Sequence, residues 1–184
     1  MRVLGISGSL RRDSHNSELL RAAAALLPPG AELEVWEDLR AVPPFDADEE
    51  EGERAESLRS LAAAIDDADA VLFATPEYNH SLPGALKNAL DWISRPLADS
   101  PLRNKPVAVV GASTGLFGAV WAQAELRKVL GAIGARVVDR ELPVGQAADA
   151  FGFDGRLADA ELELMLADLL AELLAEVPQV ALAA

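Results

Sequence analysis

The chain has 184 residues, of which 30 are Asp or Glu and 16 are Lys or Arg, so its formal charge at pH 7 is −14. This charge disfavours nucleic acid and anionic membranes as partners, because both are bound through clustered Lys and Arg. With 51% hydrophobic residues, residues 1–184 are expected to form a single domain around one core. The absence of cysteine excludes thiolate metal sites and cysteine nucleophiles, and it suits a cytoplasmic protein.

Clusters of Val, Ile and Leu alternate along the chain with Ala- and Leu-rich segments at helical spacing. The predicted strands are Arg2–Ser7, Glu32–Glu37, Ala70–Ala74, Pro106–Ala112 and Arg136–Leu142. The predicted helices are Ser17–Leu27, Arg54–Ala68, Pro83–Ile93, Gly118–Ile133 and about Asp159–Glu176. This alternation predicts an α/β fold, a flavodoxin-like doubly wound five-stranded parallel sheet of order 2-1-3-4-5 with helices on both faces.

An acidic loop of about residues 43–53 separates the second strand from the second helix, and it contains the run Asp46-Ala47-Asp48-Glu49-Glu50-Glu51. The run lacks the ligand spacing and turn glycine of a calcium loop, so a solvated, mobile loop is expected. The two histidines, His15 and His80, both fall in predicted loops, where a solvated side chain is the favoured interpretation. No metal site is predicted.

The loop after the first strand has the composition of a phosphate-binding site. Short polar side chains at Ser9, Ser14, Asn16 and Ser17 stand before a helix N-terminus, and Arg11 adds a guanidinium. The alternative is that Ser14 or Asn16 only caps the helix while the arginines are solvated. Neither a Gly-x-Gly-x-x-Gly motif nor a Gly-Lys-Ser/Thr motif is present, so a mononucleotide is favoured.

Two further loops follow strands three and four. Thr75–Gly84 is bracketed by prolines, and Tyr78 offers a flat face there, while the backbone N–H groups of Tyr78 and Asn79 are expected to face a planar heterocycle. Residues 111–118 include three glycines, which permit a close approach of the backbone to a ligand. Because the carboxyl ends of parallel strands share one edge of the sheet, the three loops are expected to form one site.

Together the three loops resemble the NADPH-dependent FMN reductase family, a flavodoxin-like group that includes quinone, azo and chromate reductases. The matching motifs are Gly8-Ser9-Leu10-Arg11 with Ser14-x-Asn16, then Pro76-Glu77-Tyr78-Asn79-x-Ser81-x-Pro83-Gly84, and Gly111-Ala112-Ser113-x-Gly115-x-x-Gly118. The similarity runs from residue 1 to about Val138. Ala119, where many members have a second glycine, and the bulky Trp121 depart from the pattern.

The resemblance implies FMN as the bound cofactor and NADPH or NADH as the co-substrate. Hydride would pass from NAD(P)H to flavin N5, and reducing equivalents then to a quinone-like or other small-molecule acceptor by ping-pong exchange, so no catalytic side chain is assigned. The implied FMN contacts are Ser9, Arg11, Ser14, Asn16 and Ser17 at the phosphate, Pro76, Glu77, Tyr78 and Asn79 along the isoalloxazine, and Ser113 and Gly115 at its pyrimidine side.

The sequence leaves two alternatives to this enzymatic function open. The chain could be a non-enzymatic electron carrier of the flavodoxin type, which its acidity would also suit, or a partner-binding protein that has lost turnover. The resemblance further implies a homodimer or homotetramer. Trp92, Phe117 and Trp121 are candidate interface aromatics, with ordinary core packing as the alternative.

Overall fold

The apolar strands assemble into one parallel sheet in the computed structural model, which describes residues 1–178. The strands are β1 (Arg2–Ser7), β2 (Glu32–Trp36), β3 (Ala70–Ala74), β4 (Pro106–Ala112), β5 (Arg136–Val137) and β6 (Pro143–Val144). The helices are α1 (His15–Leu26), α2 (Glu56–Asp67), α3 (Gly84–Ile93), α4 (Val120–Ile133) and α5 (Ala160–Ala175). Short 3-10 turns lie at Asp38–Ala41, Ala47–Glu49 and Leu97–Asp99.

The strand order is β2-β1-β3-β4-β5, so the predicted doubly wound topology is confirmed. The extent of the predicted fifth strand is wrong, because β5 and β6 pair separately with the two ends of β4. Between them the chain leaves the sheet, where Arg140 pairs with Glu172 and Glu141 pairs with Arg127. The segment predicted as the middle of the fifth strand is therefore a connection whose charged side chains pair with α4 and α5.

The two central strands are buried on both faces, as expected for a parallel sheet between helical layers. Leu72 and Val110 face the layer formed by α1 and α5, whereas Phe73 and Val109 face the layer of α2, α3 and α4. The predicted apolar face of the last helix is confirmed against the sheet by Leu162, Leu166, Leu169, Leu170 and Leu173.

Helix α4 begins two residues later than predicted because Gly118 and Ala119 adopt left-handed conformations, with φ of 56° and 60°. A Cβ atom added to Gly118 would lie 2.3 Å from the carbonyl carbon of Pro143. Only glycine combines this φ with so close a backbone neighbour. The tight turn holds the loop after β4 against β6, which positions one wall of the site described below.

Candidate functional site

The loops after β1, β3 and β4 surround one pocket of about 100 Å³ at the carboxyl edge of the sheet. Strands β1 and β3 are neighbours there, and such a reversal of strand order is where open α/β sheets bind ligands. The pocket is lined by Ser9, Arg11, Ser14, His15, Asn16, Pro76, Glu77, Tyr78, Ala112, Ser113 and Thr114. Eight of the eleven expected contacts therefore meet in one place, while Ser17, Asn79 and Gly115 do not line this pocket.

Ser14 caps helix α1. Its Oγ accepts hydrogen bonds from the backbone N–H groups of Asn16 at 3.2 Å and Ser17 at 3.4 Å. The capping role that the sequence left as an alternative is therefore present, and Ser14 also lines the pocket. One side chain thus fixes the start of the helix and places a hydroxyl beside its positive end.

Asn16 joins helix α1 to strand β4. Its Nδ2 donates to the carbonyl oxygen of Ala112, and its Oδ1 accepts from the backbone N–H of Ala112, both at 3.0 Å. The side chain is buried, so these two bonds occupy both ends of its carboxamide. The contribution of this carboxamide to the site is to hold the first loop against the third.

The loop after β3 ends in a tight hairpin. The backbone N–H of Tyr78 donates to the carbonyl oxygen of Ser81 at 3.0 Å, and the reverse bond is 3.2 Å. Asn79 and His80 between them have φ of 53° and 60°, as in a two-residue hairpin turn. The N–H of Tyr78 is engaged in this turn, in contrast to the expectation that it faces a heterocycle. The Tyr78 side chain is 49% exposed and lines the pocket.

Glu77 connects the same loop to helix α4. Its Oε2 accepts from the backbone N–H groups of Trp121 and Ala122, each at 3.1 Å. The residue at the start of α4, Ala119, has no side-chain oxygen to cap the helix. A carboxylate from a distant loop replaces the missing cap and interacts favourably with the helix dipole. The second oxygen, Oε1, lies 3.6 Å from His80 Nδ1.

The third loop is bound to the chain that follows β6. The N–H of Ala147 donates to the carbonyl oxygen of Ser113, and the N–H of Gln146 donates to that of Gly115. Gln123, fully buried on α4, donates to the carbonyl oxygens of Gly118 and Leu142 and accepts from the N–H of Leu142. Sequence analysis missed Gln123, and its only signal was an amide among the apolar residues of a helix.

The three candidate interface aromatics differ in burial. Trp92 is 5% exposed, packs edge-on against Phe45 and donates its Nε1–H to the carbonyl oxygen of Pro43, so it belongs to the core. Phe117 and Trp121 are 60% and 43% exposed and contact each other edge to face beside the pocket. The alternative of core packing is therefore wrong for these two residues.

The remaining polar expectations have mixed outcomes. His15 is the first residue of α1, lines the pocket and lies 2.9 Å from Glu18 Oε2, so the expectation of a solvated loop residue is wrong for it. His80, by contrast, is exposed in its loop as expected. Glu50 of the acidic loop lies 3.6 Å from Arg95. Within residues 1–178, the acidic side chains form no cluster suited to a metal ion. No helix in this part of the chain is long and apolar enough to cross a membrane.

Comparisons with known proteins identify the family of this chain. Residues 1–149 match the model of the family described as NADPH-dependent FMN reductase. An NAD(P)H-dependent FMN reductase of Pseudomonas aeruginosa is 42% identical over 86% of this chain and 85% of its own length. A quinone reductase of Escherichia coli is 39% identical over 76% of this chain and 74% of its own.

A solved structure extends the likeness to the fold. The flavoenzyme NAD(P)H:(acceptor) oxidoreductase FerB of Paracoccus denitrificans superposes with a TM-score of 0.83 at 33% identity, covering 96% of each chain. The prediction of an oxidoreductase that uses FMN with NAD(P)H is confirmed by the family match. The chain belongs to the NADPH-dependent FMN reductase family.

Proposed function

We propose that this chain binds FMN in the three-loop pocket and passes reducing equivalents from NAD(P)H to quinone-like small molecules. The observation that carries the proposal is the meeting of Arg11 and the hydroxyls of Ser9 and Ser14 at the start of α1. This donor set fits a phosphate monoester, since a guanidinium, hydroxyls and a helix N-terminus all favour an anion. The same pocket continues to Tyr78 and Ser113, which leaves the ring of FMN beside the second and third loops.

The proposed contacts divide into groups that bind and groups that position. Ser9, Arg11 and Ser14 bind the phosphate directly. Asn16 acts through its bonds to Ala112, which set the distance between the phosphate loop and the third loop. Ser17 lies in the adjoining cleft next to Arg11 and supports the phosphate loop from the other side.

The ring of FMN is bordered by the other proposed contacts, Pro76, Glu77, Tyr78, Asn79, Ser113 and Gly115. Glu77 orients this wall by capping α4, and the hairpin at Asn79 fixes the direction of Tyr78. When bound, FMN supplies two-electron chemistry that no side chain here provides. The half-exposed Tyr78 leaves the ring open to a planar partner, so NAD(P)H and the acceptor stack in turn at one place.

The acceptor assignment depends on the relatives. A quinone reductase and a 2-hydroxy-1,4-benzoquinone reductase of Burkholderia are each about two-fifths identical to this chain, at 39% and 42%. The electron-carrier alternative has weaker support, because the flavodoxin match is only 21% identical and indicates the fold alone. A quinone is therefore the proposed class of acceptor.

Assembly and location complete the proposal. Leu116, Phe117 and Trp121 form an exposed apolar surface beside the pocket, and we propose that it is covered in a homodimer or homotetramer. A cytoplasmic location supplies NAD(P)H and suits a chain without cysteine. Light scattering of the wild type and a Phe117→Ser variant tests the assembly, which fails as a proposal if both are monomeric.

The test of the activity uses the purified full-length chain. Reconstitution with FMN should give a yellow protein that oxidises NADPH or NADH when a benzoquinone is added, with parallel double-reciprocal lines typical of ping-pong exchange. A protein that binds no FMN, or that binds it without oxidising either nucleotide in the presence of the quinone, would contradict the proposal.

A further inference from the structure

A second cleft lies beside the FMN pocket, between the loop after β1 and the end of β2. We call it the arginine cleft, because Arg11, Arg12 and Arg40 all line it, together with Trp36, Glu37 and Leu39. Its volume is about 230 Å³, and it shares Ser9 and Arg11 with the FMN pocket. A ligand that extends out of the FMN pocket past Arg11 would enter this cleft.

The charge in the arginine cleft is opposite to that of the chain as a whole. Three arginines and one acidic residue, Glu37, line the cleft in a chain with a formal charge of −14. Within residues 1–178, none of the three arginines makes an ion pair with a carboxylate. Elsewhere on the surface, by contrast, Arg95 and Arg127 pair with glutamates. The cleft therefore offers cationic groups that are not already neutralised.

The position of Arg40 is fixed by the chain itself. Its Nη2 donates to the carbonyl oxygen of Leu10 at 2.7 Å, which draws the 3-10 turn after β2 towards the phosphate loop. The other guanidinium N–H groups of Arg40 remain available for an anion, because the group carries five donors. A guanidinium held in this way loses less rotamer freedom when an anion binds.

The lining of the arginine cleft also includes two buried apolar residues. Trp36 and Leu39 are buried there, and the Nε1–H of Trp36 already donates to Ser60 Oγ at 3.1 Å. The indole N–H therefore needs no acceptor from a ligand. Apolar residues next to arginines suit a nucleobase whose ribose carries a phosphate.

We propose that the arginine cleft binds the adenosine 2′-phosphate end of NADPH and makes the enzyme prefer NADPH over NADH. The inference rests on the proposed function, since NAD(P)H must reach the flavin. Arginines accommodate a ribose 2′-phosphate in dinucleotide sites, whereas a carboxylate there hydrogen-bonds the free 2′-hydroxyl. With Arg11 bound to the FMN phosphate, Arg12 and Arg40 still outnumber the single carboxylate of Glu37, so the phosphorylated ribose is favoured and NADH is bound more weakly.

The test measures nucleotide binding to the FMN-loaded, full-length protein by titration calorimetry, with 2′,5′-ADP and 5′-AMP as probes, which differ only in the 2′-phosphate. The wild type should bind 2′,5′-ADP about tenfold or more tightly than 5′-AMP, as expected for charge-assisted bonds to one added phosphate. The double variant R12A/R40A should remove that difference and leave the affinity for 5′-AMP nearly unchanged. Arg21→Ala, an exposed arginine of α1 outside both pockets, is the matched control and should change neither affinity.

A variant that is expected to strengthen nucleotide binding makes the test independent of any loss of folding. Glu37→Gln removes the carboxylate of the cleft, so it should strengthen the binding of 2′,5′-ADP about threefold and leave that of 5′-AMP unchanged. The proposal is overturned if the wild type binds both probes equally, if R12A/R40A weakens both alike, or if Glu37→Gln has no effect. These results do not depend on turnover, so a wild type that binds 2′,5′-ADP selectively but reduces no quinone contradicts the proposed activity and leaves the cleft assigned.

Discussion

Asn16 and Ala112 exchange two hydrogen bonds of 3.0 Å although they lie 96 residues apart in the chain. The pair joins the first turn of α1 to the last residue of β4, and the pocket proposed for FMN opens beside it. The loop that carries Arg11 and the loop that carries Ser113 are therefore held together before any ligand binds. Such preorganisation lowers the ordering cost of binding.

Asn16→Ala leaves the buried N–H and carbonyl groups of Ala112 without partners. The expected loss is about 1–3 kcal/mol of unfolding free energy for each unsatisfied buried group, together with weaker FMN binding. Urea denaturation of the protein without FMN measures the first effect and fluorescence titration with FMN the second. Ser17→Ala on the same helical turn is the control for stability, and an Asn16→Ala protein as stable as this control would contradict the role.

Glu77→Ala removes the only side-chain acceptor that reaches the first N–H groups of α4 within the described chain. The expected cost is about 1 kcal/mol, typical of a lost helix cap. Glu77→Gln keeps an acceptor oxygen but loses the charge that interacts with the helix dipole, so its cost should be smaller. Thermal unfolding of both variants checks this order, and equal losses would show that the neutral acceptor oxygen contributes nothing as a cap.

The fold could be predicted from the sequence because it depends on short-range patterns. Ala70–Ala74 and Pro106–Ala112 are uninterrupted apolar runs of strand length, and their bounds are the observed ones. Arg136–Leu142 misled because apolar residues stand near both of its ends, whereas Arg140 and Glu141 between them pair with α5 and α4. The order of apolar and polar residues in a segment indicates which side chains are buried, and it does not show whether the backbone forms the hydrogen bonds of a sheet.

The residues that form the site could be predicted from the sequence, whereas their hydrogen-bond partners could not. Ser9, Arg11 and Ser14 stand within one loop, so their proximity follows from the sequence alone. The partners of Asn16 and Glu77 lie 96 and 44 residues away, and a single sequence carries no signal for such pairs. Both residues were expected as contacts of FMN, and the structure shows hydrogen bonds from their side chains that hold the loops of the site in place.

Gly118→Ala and Gly131→Ala are a matched pair of variants with opposite expected effects on the free energy of unfolding. At Gly118 the new methyl group would lie 2.3 Å from Pro143 at a φ of 56°, so a loss of about 3 kcal/mol is expected from clash and strain. At Gly131, inside α4, a Cβ meets no atom within 4 Å, so a gain of about 0.5–1 kcal/mol is expected. Denaturant melts of both variants test the pair, and a tolerated Gly118→Ala would contradict the close packing of the loop on β6.

Arg11→Ala should weaken FMN binding about tenfold or more without lowering stability, because its guanidinium is exposed and lines the proposed phosphate site. Arg11→Lys keeps the charge but loses the fork of donors, so an intermediate affinity is expected. Fluorescence titration with FMN measures both, and titration with riboflavin, which has no phosphate, is the internal control. If riboflavin lost as much affinity as FMN, Arg11 would not act on the phosphate.

The ion pair between Arg140 and Glu172 predicts a dependence of stability on pH. The hydrogen bond from Arg140 holds the pKa of Glu172 below its ordinary value of 4.5. A carboxyl group whose pKa is lowered by folding stabilises the folded state above its unfolded pKa, and this contribution is lost as the pH falls through the folded pKa. Glu172→Gln should therefore lower Tm at about pH 7, and this effect should diminish as the pH falls through the folded pKa towards about pH 3.

Both side chains of this pair are partly exposed, so the difference in Tm should also shrink as salt is added. Thermal melts of the wild type and Glu172→Gln across this pH range measure the effect. Glu32→Gln, which changes an exposed glutamate without an ion pair among residues 1–178, is the control and should give no pH-dependent difference. A difference between wild type and Glu172→Gln that persists unchanged at low pH would show that the side chain stabilises α5 by packing, because protonation would then leave its contribution intact.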